Sequence, residues 1–205
     1  MTTFPKNLIT SNDLTSEHLY KIFSLAQEYE KVEESINNEQ LPAVNISLKG
    51  VTVALVFFEN STRTRLSFEL AAKRLGAEVI TFTANTSSLS KGESLADTIR
   101  TIDAMFVDMY VIRSQWSGVP TFVSNITKNI IVNAGDGKHE HPTQALLDAY
   151  TIYKYYKKFK GLKISIIGDI LHSRVARSNI ITLKTLGADV RLLGPGTLLP
   201  VHTNC

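Results

Sequence analysis

Short apolar runs and amphipathic helical stretches alternate along the chain. Residues 51–58 form an almost wholly apolar, β-branched run, which is typical of a strand covered on both faces of a parallel sheet. A polar turn follows, and then a helical stretch that stops at Gly76. The predicted apolar face of that helix consists of Phe68, Ala71, Ala72 and Leu75. These residues make one strand–turn–helix unit.

The same unit recurs through the rest of the sequence. Further strands are predicted at residues 78–82, 109–113, 130–133, 163–167 and 189–193. Helices are predicted at residues 15–30, 94–106, near Phe122, from Pro142 onward and at 174–186. Because strands alternate with helices, the pattern indicates an α/β fold with a parallel sheet flanked by helices.

The helix that starts at Pro142 divides the pattern in two. We expect a first α/β domain over residues 1–142, a connecting helix within 143–160 and the start of a second α/β domain over 161–205. Two strands and one helix leave apolar surface of the second sheet uncovered. We therefore expect the second domain to be incomplete.

Composition narrows the class of protein. The 205 residues are 43% hydrophobic and 20% charged, and no apolar run approaches the ~18 residues of a membrane span, so we expect a soluble protein. The N-terminus lacks a secretory signal and the single cysteine, Cys205, has no internal partner, which favours the cytoplasm. A formal charge of +3 with scattered Lys and Arg argues against nucleic-acid binding.

The residues after the first buried strand suit an anion. Residues 57–65 read FFENSTRTR and span the predicted passage from strand to helix. The first backbone N–H groups of a helix are unpaired, and its dipole is positive there. Three hydroxyls and two guanidinium groups would turn such a site into a phosphate cradle. The alternative interpretation is ordinary capping by Ser and Thr, with Arg65 on the surface.

A second cluster, HEHPTQ, lies where a loop enters another helix. Pro142 at the first helical position fixes the backbone there, so we expect His141 and Gln144 to lie close together near the start of the helix. We interpret them as hydrogen-bonding groups for a carbonyl and an amide of a ligand. A zinc site at His139 and His141 is the rival interpretation, although neither a cysteine nor an HExxH pattern accompanies them. A buried structural histidine is a third.

Two other segments are less specific from their residues alone. Residues 85–93 form a polar loop of small residues around Lys91, which is typical of a solvated loop. Residues 168–177 form another passage from strand to helix. They lack GxGxxG, so a dinucleotide site is poorly supported.

Four segments carry a further signal when they are taken together. They are FFENSTRTRLSFE, SLSKGESLADT, AGDGKHEHPTQALLD and GDILHSRVARS. In this order and at these separations they resemble the aspartate/ornithine carbamoyltransferase family, and KGESLADTIRTI and GDILHSRVARSN are similar to its aspartate branch. The resemblance implies transfer of the carbamoyl group of carbamoyl phosphate to the amino group of L-aspartate, giving N-carbamoyl-L-aspartate and phosphate, in pyrimidine biosynthesis. It implies no metal or organic cofactor.

The resemblance implies roles for the donor-site residues. The phosphate of carbamoyl phosphate is expected to be bound by Ser61, Thr62, Arg63 and Thr64. The carbonyl oxygen is expected to contact Thr64, Arg113 and His141, and the carbamoyl NH₂ group to contact Gln144. Residues 1–142 would then be the carbamoyl phosphate-binding domain and residues 161–205 part of the aspartate-binding domain.

The resemblance also implies roles outside the donor site. Lys91, with Ser87 as its partner, is expected to reach into the active site of a neighbouring subunit, which implies a homotrimer with shared sites. Ser88 matches less closely. Arg174 is expected to bind a carboxylate of aspartate, and Glu59 to hold the arginines in place as a buried partner.

The end of the sequence departs from the family. Members continue past this point, whereas this chain stops after a tail, VHTNC, that matches nothing in the family. We therefore expect a C-terminally truncated member. Two alternatives stay open: an ornithine carbamoyltransferase, and a non-catalytic chain that binds ligands or pairs with other subunits. A regulatory chain cannot be read from these residues.

Overall fold

A computed structural model of the protein describes residues 3–36, 47–83 and 94–200. The strands are β1 (Thr52–Phe57), β2 (Glu78–Thr83), β3 (Met109–Ser114), β4 (Ile130–Asp136), β5 (Lys163–Ile167) and β6 (Asp189–Leu193). The α-helices are α1 (Ser16–Ile36), α2 (Thr62–Arg74), α3 (Leu95–Asp103), α4 (Val119–Ser124), α5 (Pro142–Tyr156) and α6 (Arg174–Thr185). Short 3₁₀ turns lie at Ser11–Asp13 and Gly196–Leu198.

The first four strands form a parallel sheet in the order β2-β1-β3-β4. Strand β1 is central: Val53 pairs with Val79 on one side and with Met109 on the other. Helices cover both faces of β1, and its residues from Val53 to Phe57 are therefore buried. The predicted α/β fold is confirmed. Because the strands are parallel, the segments that follow β1, β3 and β4 emerge at one edge of the sheet.

Helix α1 packs against α5 and against the second α/β unit. Leu19 and Phe23 are buried on the face that the sequence predicts. The Phe23 ring stacks on Tyr153 of α5, with 5.1 Å between centroids, and Phe159 closes the same cluster. The N-terminal helix thus shares one apolar cluster with α5 and α6.

The second unit consists of the parallel pair β5 and β6 with α6 packed on one face. Val190 and Leu183 are buried between the sheet and the helix. The other face is open: Ile167 is 76% and Leu193 46% exposed. The other exposed positions of both strands are polar, so the apolar surface left uncovered is confined to the ends of β5 and β6.

Two details of the prediction are wrong. The helix expected over residues 94–106 ends at Asp103. Phe106 takes a left-handed φ of 60° and is 89% exposed, because the turn inserts the next residue, Val107, into the core. On α2, Ala71 is exposed, and the buried position of that stripe is Ala72.

In the part of the chain that is described, no helix has the length and apolar character needed to cross a membrane.

Candidate active site

The loop after β1 leads directly into the N-terminus of α2. Ser61 is the N-cap residue, but its side chain makes no capping hydrogen bond. The hydroxyl and the first N–H groups of the helix therefore remain available to a ligand. A cavity of about 420 Å³ lies at this helix end and is lined by Phe57, Glu59, Asn60, Ser61, Thr62 and Arg65. The positive end of the helix dipole thus faces this cavity, which favours an anion there.

Arg113, in β3, brings a guanidinium group to the same edge. Its Nη1 donates to Thr64 Oγ1 at 3.4 Å and to the Ala134 carbonyl at 3.1 Å. The same nitrogen lies 3.5 Å from His141 Nε2. Thr64 and His141 thus both lie within 3.5 Å of the Arg113 guanidinium group, although the three residues belong to α2, β3 and the position that precedes α5.

Glu59 binds two arginines at once. Its Oε1 accepts from Arg113 Nη2 at 2.7 Å and from Arg174 Nη2 at 2.8 Å, while Oε2 accepts from Arg174 Nη1 at 3.2 Å. Desolvation raises the pKa of Glu59, but the hydrogen bonds and charges of the two arginines outweigh it and lower the pKa overall. Glu59 holds both arginines as expected, but it is half-buried instead of buried, with 27% of its side chain exposed.

Arg174 is the first residue of α6, and Ser173 caps that helix by accepting from the Ala176 N–H. Besides Glu59, its Nη1 contacts the carbonyls of Ser114 at 3.4 Å and Gly137 at 3.3 Å. The loop that enters α6 therefore delivers a guanidinium group of the second unit to the edge of the first sheet.

His141 is held through its backbone and is 7% exposed. Its N–H donates to Ser178 Oγ at 2.8 Å, and the Ser178 hydroxyl donates to Glu140 Oε2 at 3.0 Å. The same carboxylate oxygen accepts from the Ser11 N–H at 2.7 Å. A buried chain of hydrogen bonds thus ties the residue before α5 both to α6 and to the N-terminal segment.

Burial lowers the pKa of His141 to about 4, and the neighbouring charges of Arg113 and Arg174 act in the same direction. The imidazole is therefore neutral at pH 7. Its Nδ1 lies 3.2 Å from the Thr143 hydroxyl, which leaves Nε2 facing Arg113. A neutral ring in this position can donate a hydrogen bond without adding a charge.

Gly135 permits the close approach of these side chains. Its φ is 111°, and a Cβ built there would lie 3.1 Å from His141 Cδ2, 3.2 Å from Arg174 Nε and 3.3 Å from Arg113 Nη1. Most real Cβ contacts are longer. His141, Arg174 and Arg113 therefore approach each other at Gly135, because glycine has no side chain there.

Asp136 organises the loop that follows. It is 1% exposed and accepts from the backbone N–H groups of Gly118 and Glu140 and from Asn133 Nδ2. His139 Nδ1 lies 3.1 Å from its Oδ2. The rival zinc interpretation gains no support, since the described residues hold no group of three or more His, Cys, Asp or Glu placed for a metal.

Some predicted residues lie apart from this cluster or outside the described residues. Arg63 is exposed on the first turn of α2, and the hydrogen bonds of the described residues do not join it to Arg113 or His141. Gln144 Nε2 donates to Asp148 Oδ1 instead. Lys91 and Ser87, with Ser88, fall within residues 84–93, which are not described. Their roles stay predictions.

Several supporting residues escaped the sequence analysis. They are Gly135, Asp136, Glu140, Asp148 and Ser178. The AGDG string does signal a tight loop, since its glycines flank an aspartate. The contacts of Ser178, by contrast, span 37 residues of sequence or more, and no local pattern contains them.

The arrangement suits a small anion that carries a carbonyl group. Two guanidinium groups share one carboxylate and stand beside a neutral histidine, so the cluster keeps a net positive charge. Donors fixed around a carbonyl oxygen stabilise the charge that develops when a nucleophile attacks it. The helix end next to them offers a place for a leaving phosphate.

Known proteins are similar to this chain over most of its length. Residues 6–154 match the family described as "Aspartate/ornithine carbamoyltransferase, carbamoyl-P binding domain". The chain belongs to the aspartate/ornithine carbamoyltransferase family. Among curated relatives, the aspartate carbamoyltransferase catalytic subunit of Chlorobaculum tepidum is 56% identical over 187 residues, which are 91% of this chain and 59% of the relative. The chain thus spans about three-fifths of the length of the curated carbamoyltransferases it matches.

Solved carbamoyltransferase structures show the same fold. The catalytic subunit of M. jannaschii aspartate transcarbamoylase aligns with a TM-score of 0.79 and 41% identity, covering 96% of this chain and 63% of that one. The Trypanosoma cruzi enzyme in complex with N-(phosphonacetyl)-L-aspartic acid aligns with a TM-score of 0.84 and 31% identity, covering 97% and 64%.

Gly135→Ala is expected to displace the side chains that meet at the site. The added Cβ is too close to His141, Arg174 and Arg113, so binding of carbamoyl phosphate, measured by calorimetry, should weaken roughly tenfold, in line with the loss of one charge-assisted hydrogen bond to its carbonyl oxygen. Gly161→Ala is the matched control, because Gly161 also has a positive φ, 86°, but nothing within 4 Å of its Cβ position. Both variants should lose stability through backbone strain, and equal affinities for carbamoyl phosphate would contradict the close approach.

Acidification is expected to destabilise the fold through His141. The pKa is 6.5 in the unfolded chain and about 4 in the folded one, so the unfolded state binds more protons between these values. The stabilisation is complete above pH 6.5 and is lost as the pH falls towards 4, by roughly 3 kcal/mol at most. Urea unfolding between pH 7 and pH 5 should show this slope. His141→Gln should flatten it, and a slope equal to that of the wild-type protein would be the contrary result.

Proposed function

We propose that this chain transfers the carbamoyl group of carbamoyl phosphate to the amino group of L-aspartate, a step of pyrimidine biosynthesis. The observation that carries the proposal is the meeting of Arg113, His141 and Arg174 around Gly135, beside the N-terminus of α2. The names of the relatives, all aspartate carbamoyltransferases, support aspartate as the acceptor.

The donor binds across two neighbouring features of the site. Its phosphate lies at the N-terminus of α2 against Ser61, Thr62, Arg63 and Thr64, where the unpaired N–H groups and the helix dipole attract an anion. Its carbonyl oxygen lies between Thr64, Arg113 and His141, and the contacts of Thr64 Oγ1 and His141 Nε2 with Arg113 Nη1 support this placement. Gln144 accepts from the carbamoyl NH₂ group.

Chemistry follows from this placement. The amine of aspartate attacks the carbonyl carbon, the new C–N bond forms, and the charge that develops on the oxygen is stabilised by Arg113 and by neutral His141. The C–O bond to phosphate then breaks, and the amine proton passes to the departing phosphate. Arg174 binds a carboxylate of aspartate. Catalysis therefore rests on positioning and on fixed charge, without a covalent enzyme intermediate.

Activity is tested by measuring carbamoyl aspartate formation, with L-ornithine as the alternative acceptor. The 205-residue chain should form product with aspartate only.

Arg63→Ala should lower carbamoyl phosphate affinity at least tenfold in calorimetry, because a guanidinium–phosphate hydrogen bond is lost. Arg74→Ala removes the same charge at the other end of α2 and should leave the affinity unchanged. Unchanged affinity in Arg63→Ala would remove that residue from the phosphate site.

We also propose that the active chain is a homotrimer in which Lys91 and Ser87 of one subunit complete the site of the next. Lys91→Ala and His141→Ala should each be inactive alone. Mixed in equal amounts and reassembled, they should regain about a quarter of wild-type activity, since a random neighbour supplies the intact loop to an intact pocket in that fraction of sites. Mixtures that stay inactive would argue for sites contained within one chain.

A further inference from the structure

Gln144 and Asp148 lie one turn apart on α5. Gln144 Nε2 donates to Asp148 Oδ1 at 2.9 Å, in a partly buried setting. The contact joins residues i and i+4, which share a face of the helix. The side chain of a proposed donor-binding residue is thus held by a group that is not part of the donor site.

The other carboxylate oxygen of Asp148 is also occupied. Asn179 Nδ2, on α6, donates to Asp148 Oδ2 at 2.6 Å. A carboxylate accepts hydrogen bonds and donates none. Both neighbouring amides must therefore present their NH₂ groups to Asp148, and neither can turn its oxygen towards it without placing two acceptors against each other.

The orientation of Gln144 follows from this constraint. With its NH₂ group committed to Asp148, the amide has its oxygen, Oε1, left for a ligand. An oxygen accepts from a group that carries N–H, such as a carbamoyl NH₂, and offers nothing to a methyl group in the same place. A reversed amide would instead set N–H against N–H.

We propose that Asp148 is a positioning residue that fixes the Gln144 amide so that the site selects a carbamoyl group over acyl groups without N–H donors. The inference rests on the proposed function, since it assumes that carbamoyl phosphate is the donor. It adds a source of donor selectivity that lies one helical turn from the ligand, and it connects that selectivity to α6, the helix that begins with Arg174.

The test compares carbamoyl phosphate with acetyl phosphate, in which a methyl group replaces NH₂. Affinities for both are measured on the full chain through the fluorescence of Trp116, the single tryptophan, which lies three residues after Arg113. The quantity of interest is the ratio of the two affinities. A change in overall charge or stability affects both compounds alike, whereas amide orientation affects carbamoyl phosphate alone.

Three variants of the chain set the amide differently. Asp148→Lys replaces an acceptor by a donor and should reverse Gln144, lowering the ratio roughly tenfold, because a donor then faces a donor. Asp148→Asn accommodates either orientation and should lower it by about a factor of two. The exchange Asp148→Asn with Asn179→Asp again forces the oxygen of residue 148 towards Gln144, and the ratio should return to the wild-type value.

The outcomes separate the inference from the proposed function. The inference is supported if the affinity ratio falls in Asp148→Lys and returns to the wild-type value in the exchange of Asp148→Asn with Asn179→Asp. An unchanged ratio in Asp148→Lys and Asp148→Asn, or a failure of the exchange to restore it, overturns the inference while donor binding stands. If Asp148→Lys does not fold, the other two variants still decide. A wild-type chain that binds neither compound overturns the proposed function and the inference with it.

Discussion

The bonding of two arginines to one carboxylate is the constraint on which the rest of the site depends. Arg113 and Arg174 would repel each other at this separation if Glu59 did not accept hydrogen bonds from both. Glu59 follows β1, Arg113 belongs to β3 and Arg174 begins α6, so the interaction also fixes how the second α/β unit meets the edge of the first sheet. Removing the carboxylate would leave two largely buried cations without a counter-charge, which is costly.

The same physical device recurs around the site. Carboxylates have no hydrogen to donate, and each one therefore dictates that its neighbours present N–H or O–H groups. Asp136 gathers the backbone of the loop after β4, Glu140 holds the Ser178 hydroxyl that supports His141, and Asp148 holds the Gln144 amide. The groups that would face the ligand are oriented by partners that stand behind them.

A glycine lies where the side chains of the site would otherwise clash with a Cβ. The parallel sheet brings the ends of β1, β3 and β4 together, and Gly135 lets the side chains from three elements approach a common point. At Phe106 the opposite situation holds: a left-handed residue with a side chain is tolerated because the ring lies outside the core. The order of the strands determines which loops lie next to each other. The absence of a Cβ at Gly135 determines how closely the side chains from those loops approach.

The order and type of the elements could be predicted from apolar periodicity, because this periodicity is a local property that survives in the fold. The sequence also placed Ser61 at the start of α2 and His141 just before Pro142, since caps and prolines act on neighbouring residues. Glu59 was named as a partner of the arginines only through resemblance. The links from Ser11 to Glu140, from Glu140 to Ser178 and from Asp148 to Asn179 were decided by tertiary structure alone. They join residues far apart in the chain, and no local preference encodes which distant side chain will fill a given hydrogen-bonding position.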